Sequence, residues 1–331
     1  MYGFIDLRGY LAKIRPLLAT AALAGLLFGL TDVRTDAQEN TPSEEELVVE
    51  DIDLETSDGV QLAVTFFHGT NGKDSVPVVI LPSWRGERSE YKDLAGYLQK
   101  TNGHAVVVVD LRGHGGSDTQ VVDDSVTVID IKKFKGPELL DMYRVDLDRV
   151  KEFLLEKHIA EALDLNKLFI VGVKESCLLA QYWAAREWER KPKWRSPRWN
   201  SETVKGLVLI SPLTHFKIKR TELQYLVPLR TKAVSKILSI MIIVGGEEKR
   251  SLAFARQYQA KFKPYRPPPP KDKKEELQTF FFMEKDTLLQ GEKLINQTSL
   301  KVHALINGFV THRASKTKAP WKKWVPPVGD P

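Results

Sequence analysis

The sequence has almost no cysteine: Cys177 is the only one in 331 residues. An intrachain disulfide is therefore excluded, and the fold must be held by its core. Apolar Leu178 and Leu179 follow the thiol directly, which points to a buried side chain rather than a reactive one. A dominant charge of one sign is lacking too. Forty-nine Lys and Arg interleave with 43 Asp and Glu, for a formal net charge of +6. Such a mixed surface is not the concentrated basic footprint of a nucleic-acid binder. There is no internal repeat, and nothing calls for a metal or an organic cofactor. The apolar run from Pro16 to Leu30 is short for a membrane-spanning helix.

What is present begins with that run. Arg8, Lys13 and Arg15 precede it, and the small residues Thr35 and Ala37 follow, with Gln38 next. A basic head, a short apolar stretch and a small-residue site predict a secretory signal over residues 1–37 and an exported protein. No cysteine directly follows the run, which argues against a lipid-modified N-terminus, and an uncleaved anchor is the lesser alternative. Residues 38–46 are polar and acidic and read as a leader. The 42% hydrophobic, 28% charged composition of the whole chain suits one full-sized, monomeric domain, expected over residues 47–313, before a basic tail over 314–331.

Two β-rich stretches, Leu47 to Thr56 and Val60 to His68, flank Asp58-Gly59, which is a hairpin signal. Val78 to Leu81 and Ala105 to Val109 are continuous apolar runs of the kind buried on both faces of a sheet. Further strands are predicted over Leu168 to Val171, Val204 to Ile210, Leu238 to Val244 and Thr279 to Met283. Helices are predicted over Tyr91 to Gln99 and Leu139 to Leu155, the latter with Leu147, Val150 and Leu154 three and four apart. A hairpin followed by alternating strands and helices implies an α/β fold: a mostly parallel sheet with helices on both faces. Ligands of such sheets bind beyond the carboxyl ends of the strands, so the informative residues should follow each strand.

One of those positions carries a distinctive text. Val106 to Asp118 reads VVVVDLRGHGGSD, and it closely resembles the DxRGHGxS segment of α/β-hydrolases of the serine-aminopeptidase and lipase type. Asp58-Gly59-Val60-Gln61-Leu62 resembles the DGxxL hairpin that opens those domains, and VKGLVLISP, from Val204 to Pro212, resembles the strand before their cap. The likeness runs from about Leu47 to about Val310. It implies an α/β-hydrolase fold in which Gly113, Gly115 and Gly116 make a tight turn. It also implies that His114 and Asp118 hydrogen-bond that turn rather than catalyse.

The resemblance further implies a nucleophile on a strained strand-to-helix turn, activated by a histidine that an acid orients. The matching text here is IVGVKESCLLA, from Ile170 to Ala180, where the family's is IVGHSMGGLLA. Lys174 stands at the nucleophile position, and Ser176 and Cys177 replace two glycines. The acid belongs in the turn after the strand Leu238 to Val244, where this chain has Glu247, Glu248 and Lys249. Lys249 occupies the expected position, and a shift of one residue would restore an acid. The histidine position reads Gln290, before Gly291, and His303 and His312 come too late to replace it. In the oxyanion region, the backbone amides of Trp84 and Glu175 remain as a donor pair.

These substitutions predict an exported α/β-hydrolase-like protein without hydrolytic activity, kept as a binding or structural module for a small molecule or a protein. Two catalytic alternatives stand beside it. One is an esterase or peptidase with a displaced triad. The other is a lysine-centred activity at Lys174, countered by Glu175, Glu247 and Glu248 as pairing partners. A third alternative uses the stretch from Trp183 to Trp199, where Trp194, Arg195 and Trp199 suit an anionic surface. Against it stands ordinary packing of tryptophans on their own domain. Between Ile210 and Leu238 there is room for at most a small helical cap, which predicts an open pocket. Pro267 to Pro270 reads as a stiff surface connection, and Asn296-Gln297-Thr298 fits a glycosylation sequon.

Overall fold

The computed structural model describes residues 47–190 and 201–317. The predicted signal, the leader, the part of the tail beyond 317 and the loop residues Trp194, Arg195 and Trp199 lie outside them. Twelve strands are present among the described residues: β1 Val49–Glu55, β2 Val60–Phe67, β3 Pro77–Leu81, β4 Ala105–Val109, β5 Thr119–Val122, β6 Ser125–Val128, β7 Leu168–Val173, β8 Val204–Ile210, β9 His215–Ile218, β10 Thr221–Gln224, β11 Ser239–Gly245 and β12 Phe280–Lys285. The helices are α1 Lys92–Asn102, α2 Pro137–Asp141, α3 Leu147–Ile159, α4 Ser176–Glu189, α5 Lys249–Phe262, α6 Lys274–Leu277, α7 Glu292–Asn296 and α8 Val302–Ser315.

Ten strands form one sheet in the order β12-β11-β8-β7-β3-β4-β2-β5-β6, with β1 paired to β2. From β4 to β12 all neighbours run parallel. The β1–β2 hairpin and the β5–β6 hairpin add antiparallel strands at the other end. The period-two geometry of a strand sorts its side chains between two cores. Val79, Val107, Ile170, Leu207 and Ile242 pack with α3, α4 and α5 on one face. Val78, Val106, Phe169, Val208 and Ile243 pack with α1, α7 and α8 on the other. The unbroken Val106-Val107-Val108-Val109 run is apolar because both its faces are covered.

Two predicted elements differ. The segment after β8 carries the β9–β10 hairpin and two short helical turns rather than a helical cap. Phe216 and Ile218 alternate with exposed His215 and Lys217, and Leu223 is buried, so this short run satisfies a sheet period. The predicted helix over Leu139 to Leu155 is divided by a π-helical turn at Met142–Asp146. That turn places Asp146 beneath the Arg112 guanidinium, whose Nε lies 3.0 Å from both carboxylate oxygens. Among the described residues, no helix is long and apolar enough to cross a membrane.

Candidate functional site

The strand order reverses at β3, which has β4 on one side and β7 on the other. A crevice therefore opens at the carboxyl ends of β3 and β7, the place where sheets of this kind bind ligands. Trp84 follows β3 and Lys174 follows β7, so both sequence-predicted positions sit at that crevice.

The turn after β7 has the strained geometry of a nucleophile elbow. Lys174 adopts φ +50°, a left-handed conformation that costs a lysine about 1–2 kcal/mol. Gly172 allows β7 and α4 to meet, since a Cβ there would lie 2.9 Å from the Cys177 backbone nitrogen. The side chain held on this elbow is an amine with an acidic partner. Lys174 Nζ donates to Glu292 Oε2 at 3.0 Å, and both side chains are partly exposed. The expected partners Glu175, Glu247 and Glu248 are not the ones that pair with it. Glu292 opens α7, directly after Gly291, and the lysine stem lies against that glycine. A Cβ on Gly291 would stand 2.3 Å from Lys174 Cε. Burial, followed by the neighbouring Glu292 carboxylate, holds Glu90 above the usual glutamate range.

Of the other sequence-predicted positions, Gln290 and Glu248 are tied to the scaffold. Gln290 Oε1 accepts from Ser211 Oγ at 2.7 Å and from the Gly245 amide at 3.3 Å, while its Nε2 donates to the Gly245 carbonyl at 2.9 Å. Both ends of the amide are thus used, joining the loops after β8, β11 and β12. Glu248 turns toward its own helix: its carboxylate caps α5 by accepting from the Arg250 and Ser251 amides at 3.0 and 2.7 Å. These hydrogen bonds hold its carboxyl below the usual range. Glu247 is exposed, and its amide donates to the Thr287 carbonyl at 3.1 Å. Lys249 is exposed in the first turn of α5.

Ser176 and Cys177 lie inside the protein, each 0% exposed. The Ser176 hydroxyl donates to the Pro82 carbonyl, and the Cys177 thiol to the Gly172 carbonyl at 3.1 Å. Burial pushes the thiol pKa well up. The oxyanion region corrects an expectation. The Trp84 amide is not an open donor, because it donates to Glu175 Oε2 at 3.2 Å. The residue that was to supply the second amide instead places a carboxylate where an oxyanion would sit. The Trp84 ring leans on His114 and Phe216, with centroids 4.6 and 5.0 Å away.

Of the two residues expected to bond the glycine-rich turn, His114 does so, whereas Asp118 bonds outside it. His114 Nδ1 bonds the Arg112 carbonyl at 2.9 Å, and the Asp118 carbonyl accepts from the Ile129 amide at 2.6 Å. His303 and His312 are on α8, against Tyr97 and the Glu275 carbonyl. Trp183 and Trp188 pack on their own domain, with indole N–H groups donating to Asp148 and the Val204 carbonyl at 2.9 Å each. Among the described residues, no group of three or more His, Cys, Asp and Glu side chains is placed to hold a metal ion. Sequence reasoning missed Glu292 as the partner of Lys174, and also Ser211, the hub that bonds Gln290 and the Gly291 amide. Position 211 has φ +49°, which the text ISP does not announce.

By sequence the chain matches no known family model and no curated protein. Solved structures share its fold. The Pyrococcus furiosus esterase Pf2001 is 13% identical with a TM-score of 0.54, over 80% of this chain and 90% of that one. DcsB, solved in complex with its substrate analogue, is 13% identical with a TM-score of 0.56, over 81% of this chain and 100% of that one. Thermogutta terrifontis esterase 2, phosphoramylated by tabun, is 12% identical with a TM-score of 0.55, over 80% and 94%. This chain therefore has the α/β-hydrolase fold.

Proposed function

We propose that this α/β-hydrolase-fold protein is exported and non-catalytic, and that it acts as a binding or structural module. One observation carries the reading. The side chain at the elbow is Lys174, paired with Glu292, and the side chain at the histidine position is Gln290, hydrogen-bonded at both ends of its amide. A serine-type mechanism needs a hydroxyl or thiol at the elbow and a base within hydrogen-bond reach of it. An amine tied to a carboxylate and an amide that does not titrate supply neither. The Glu175 carboxylate on the Trp84 amide adds to this, since a fixed negative charge repels a developing oxyanion. Export rests on residues 1–37 alone, with their basic head, apolar run and small-residue site.

The test is turnover. Purified protein incubated with p-nitrophenyl esters and aminoacyl-nitroanilides is expected to release no chromophore above the buffer rate between pH 5 and 9. Saturable turnover that disappears in Ser176→Ala would overturn the reading in favour of a displaced triad. Turnover that disappears in Lys174→Met would overturn it in favour of a lysine-centred enzyme.

A further inference from the structure

The β5–β6 hairpin leaves the body of the sheet. β5 is paired to β2 only at Val60 and Gln61, opposite Gln120 and Thr119. Beyond those pairs it is a two-stranded ribbon, a form that is marginal in water until further strands cover it. β6 ends the strand order, and among the described residues no strand lies beyond it. All four of its residues are exposed. Val126 and Val128, at 69% and 76%, are the most exposed large apolar side chains among the described residues.

The open side of β6 is built for pairing. Val126 and Val128 are two residues apart and share a face with Val121, which stands opposite Val126 on β5. The Val121 amide donates to the Gly59 carbonyl, and the Ile129 amide to the Asp118 carbonyl. By the alternation of an antiparallel ladder, Ser125 and Thr127 therefore bond β5. The amides and carbonyls of Val126 and Val128 point to the open side. No charge guards this edge, since β6 reads Ser-Val-Thr-Val. β1, which pairs only with β2, is guarded by Glu50, Asp51, Asp53 and Glu55. The two ends of the ribbon differ in sign. Asp123 and Asp124 make its tip, and Lys132, Lys133 and Lys135 follow its base, all of them exposed. Asp130 lies between, with its carboxylate accepting from the Lys132 amide at 2.9 Å.

From this arrangement we infer that β6 pairs antiparallel with β6 of a second copy of this chain, about a two-fold axis at Thr127. Val126 of each copy then exchanges both backbone hydrogen bonds with Val128 of the other. The four valines fall on one face, and two ribbons become a four-stranded sheet. The same two-fold sets the acidic tip of each copy beside the basic base of the other, so the charge match is made twice. An unrelated extended peptide could use the backbone edge but brings no such reciprocal match. The chain is then a monomer, as its composition suggests, only when dilute. One strand a side covers less than the about 1,200–2,000 Å² of stable complexes, so the dimer is expected to be weak and reversible, in the micromolar range.

Sedimentation of the full chain from about 1 to about 200 µM tests it, spanning that range. The average mass is expected to rise from one chain toward two. The double variant Val126→Lys, Val128→Lys puts like charges on the edge and is expected to stay a single chain throughout. Both side chains are already exposed, so the variant keeps its fold. Cysteine cross-linking checks the register without relying on that variant. Thr127 stands opposite its own copy, with Cα atoms about 4.5 Å apart, within disulfide reach. Ser125 is offset from its copy by four residues, roughly 13 Å along the strand. On mild oxidation Thr127→Cys is expected to give at least about tenfold more disulfide-linked dimer than Ser125→Cys. The native Cys177 is buried and does not compete. A single-chain mass at every concentration, a dimer undiminished in the lysine variant, or equal cross-linking of the two cysteine variants would each overturn the assignment. None of these outcomes touches the non-catalytic reading, which only ester or anilide turnover contradicts.

Discussion

Lys174 is the residue on which the proposed reading turns. The elbow imposes a left-handed backbone on it, and the strain persists although the side chain is not a hydroxyl. Replacement by glycine removes that strain along with an ion pair worth less than about 1 kcal/mol, because both partners are partly exposed. Replacement by β-branched valine keeps the strain and sharpens it. Urea unfolding is therefore expected to place Lys174→Val about 1–2 kcal/mol below Lys174→Gly. Equal stability of the two variants would mean that the turn relaxes. Gln290→His tests the neighbouring position. The imidazole cannot serve Ser211 Oγ and both backbone groups of Gly245 at once, so a loss of about 1–2 kcal/mol is expected, without gain of ester turnover. Cys177 gives a third check. Fully buried, with its pKa pushed up, it is expected to resist a thiol-reactive dye in the native state and to react fully in denaturant.

At the scale of elements, the cap of α5 engages the Glu248 carboxylate. Glu248 sits in the loop where the family's acid belongs, but its carboxylate bonds the first free amides of the helix that follows. Glu248→Ala is expected to cost about 0.5–2 kcal/mol in chemical denaturation. Because the folded pKa is depressed, that contribution is present above the unfolded glutamate pKa and fades as pH falls through the lower, folded value. The difference between wild type and Glu248→Ala should accordingly shrink in acid, and a difference independent of pH would exclude the cap as its source. The hairpins tell a different story about legibility. Asp58-Gly59 announces the first one. The β5–β6 turn at Asp123-Asp124 places two non-glycine residues at φ +47° and +61°, so the glycine that usually marks such a turn is missing. The β9–β10 hairpin does carry a period-two pattern, but over only four residues a strand, too short to read as strands in a segment judged by its length alone.

For the whole molecule, the fold is legible because the signals are long and repeated. Valine runs buried on both faces, a glycine-rich turn after β4 and the order of strands and helices all point to one sheet architecture, and the solved α/β-hydrolases share it. The positions of Lys174 and Gln290 are legible for the same reason, since each is fixed by the strand before it. Their partners are not. Sequence logic offers Glu175, Glu247 and Glu248 to Lys174, and only the three-dimensional path of α7 brings Glu292 to it. Nor does any linear pattern reveal that Glu175 folds back onto the Trp84 amide. The central claim is that a hydrolase scaffold here carries no activated nucleophile. A fluorophosphonate probe, read by intact mass and peptide mapping of the purified protein, tests it most directly. The account predicts an unmodified mass at a large excess of probe. Stoichiometric modification of a single serine, at Ser176 or at Ser211, would contradict it.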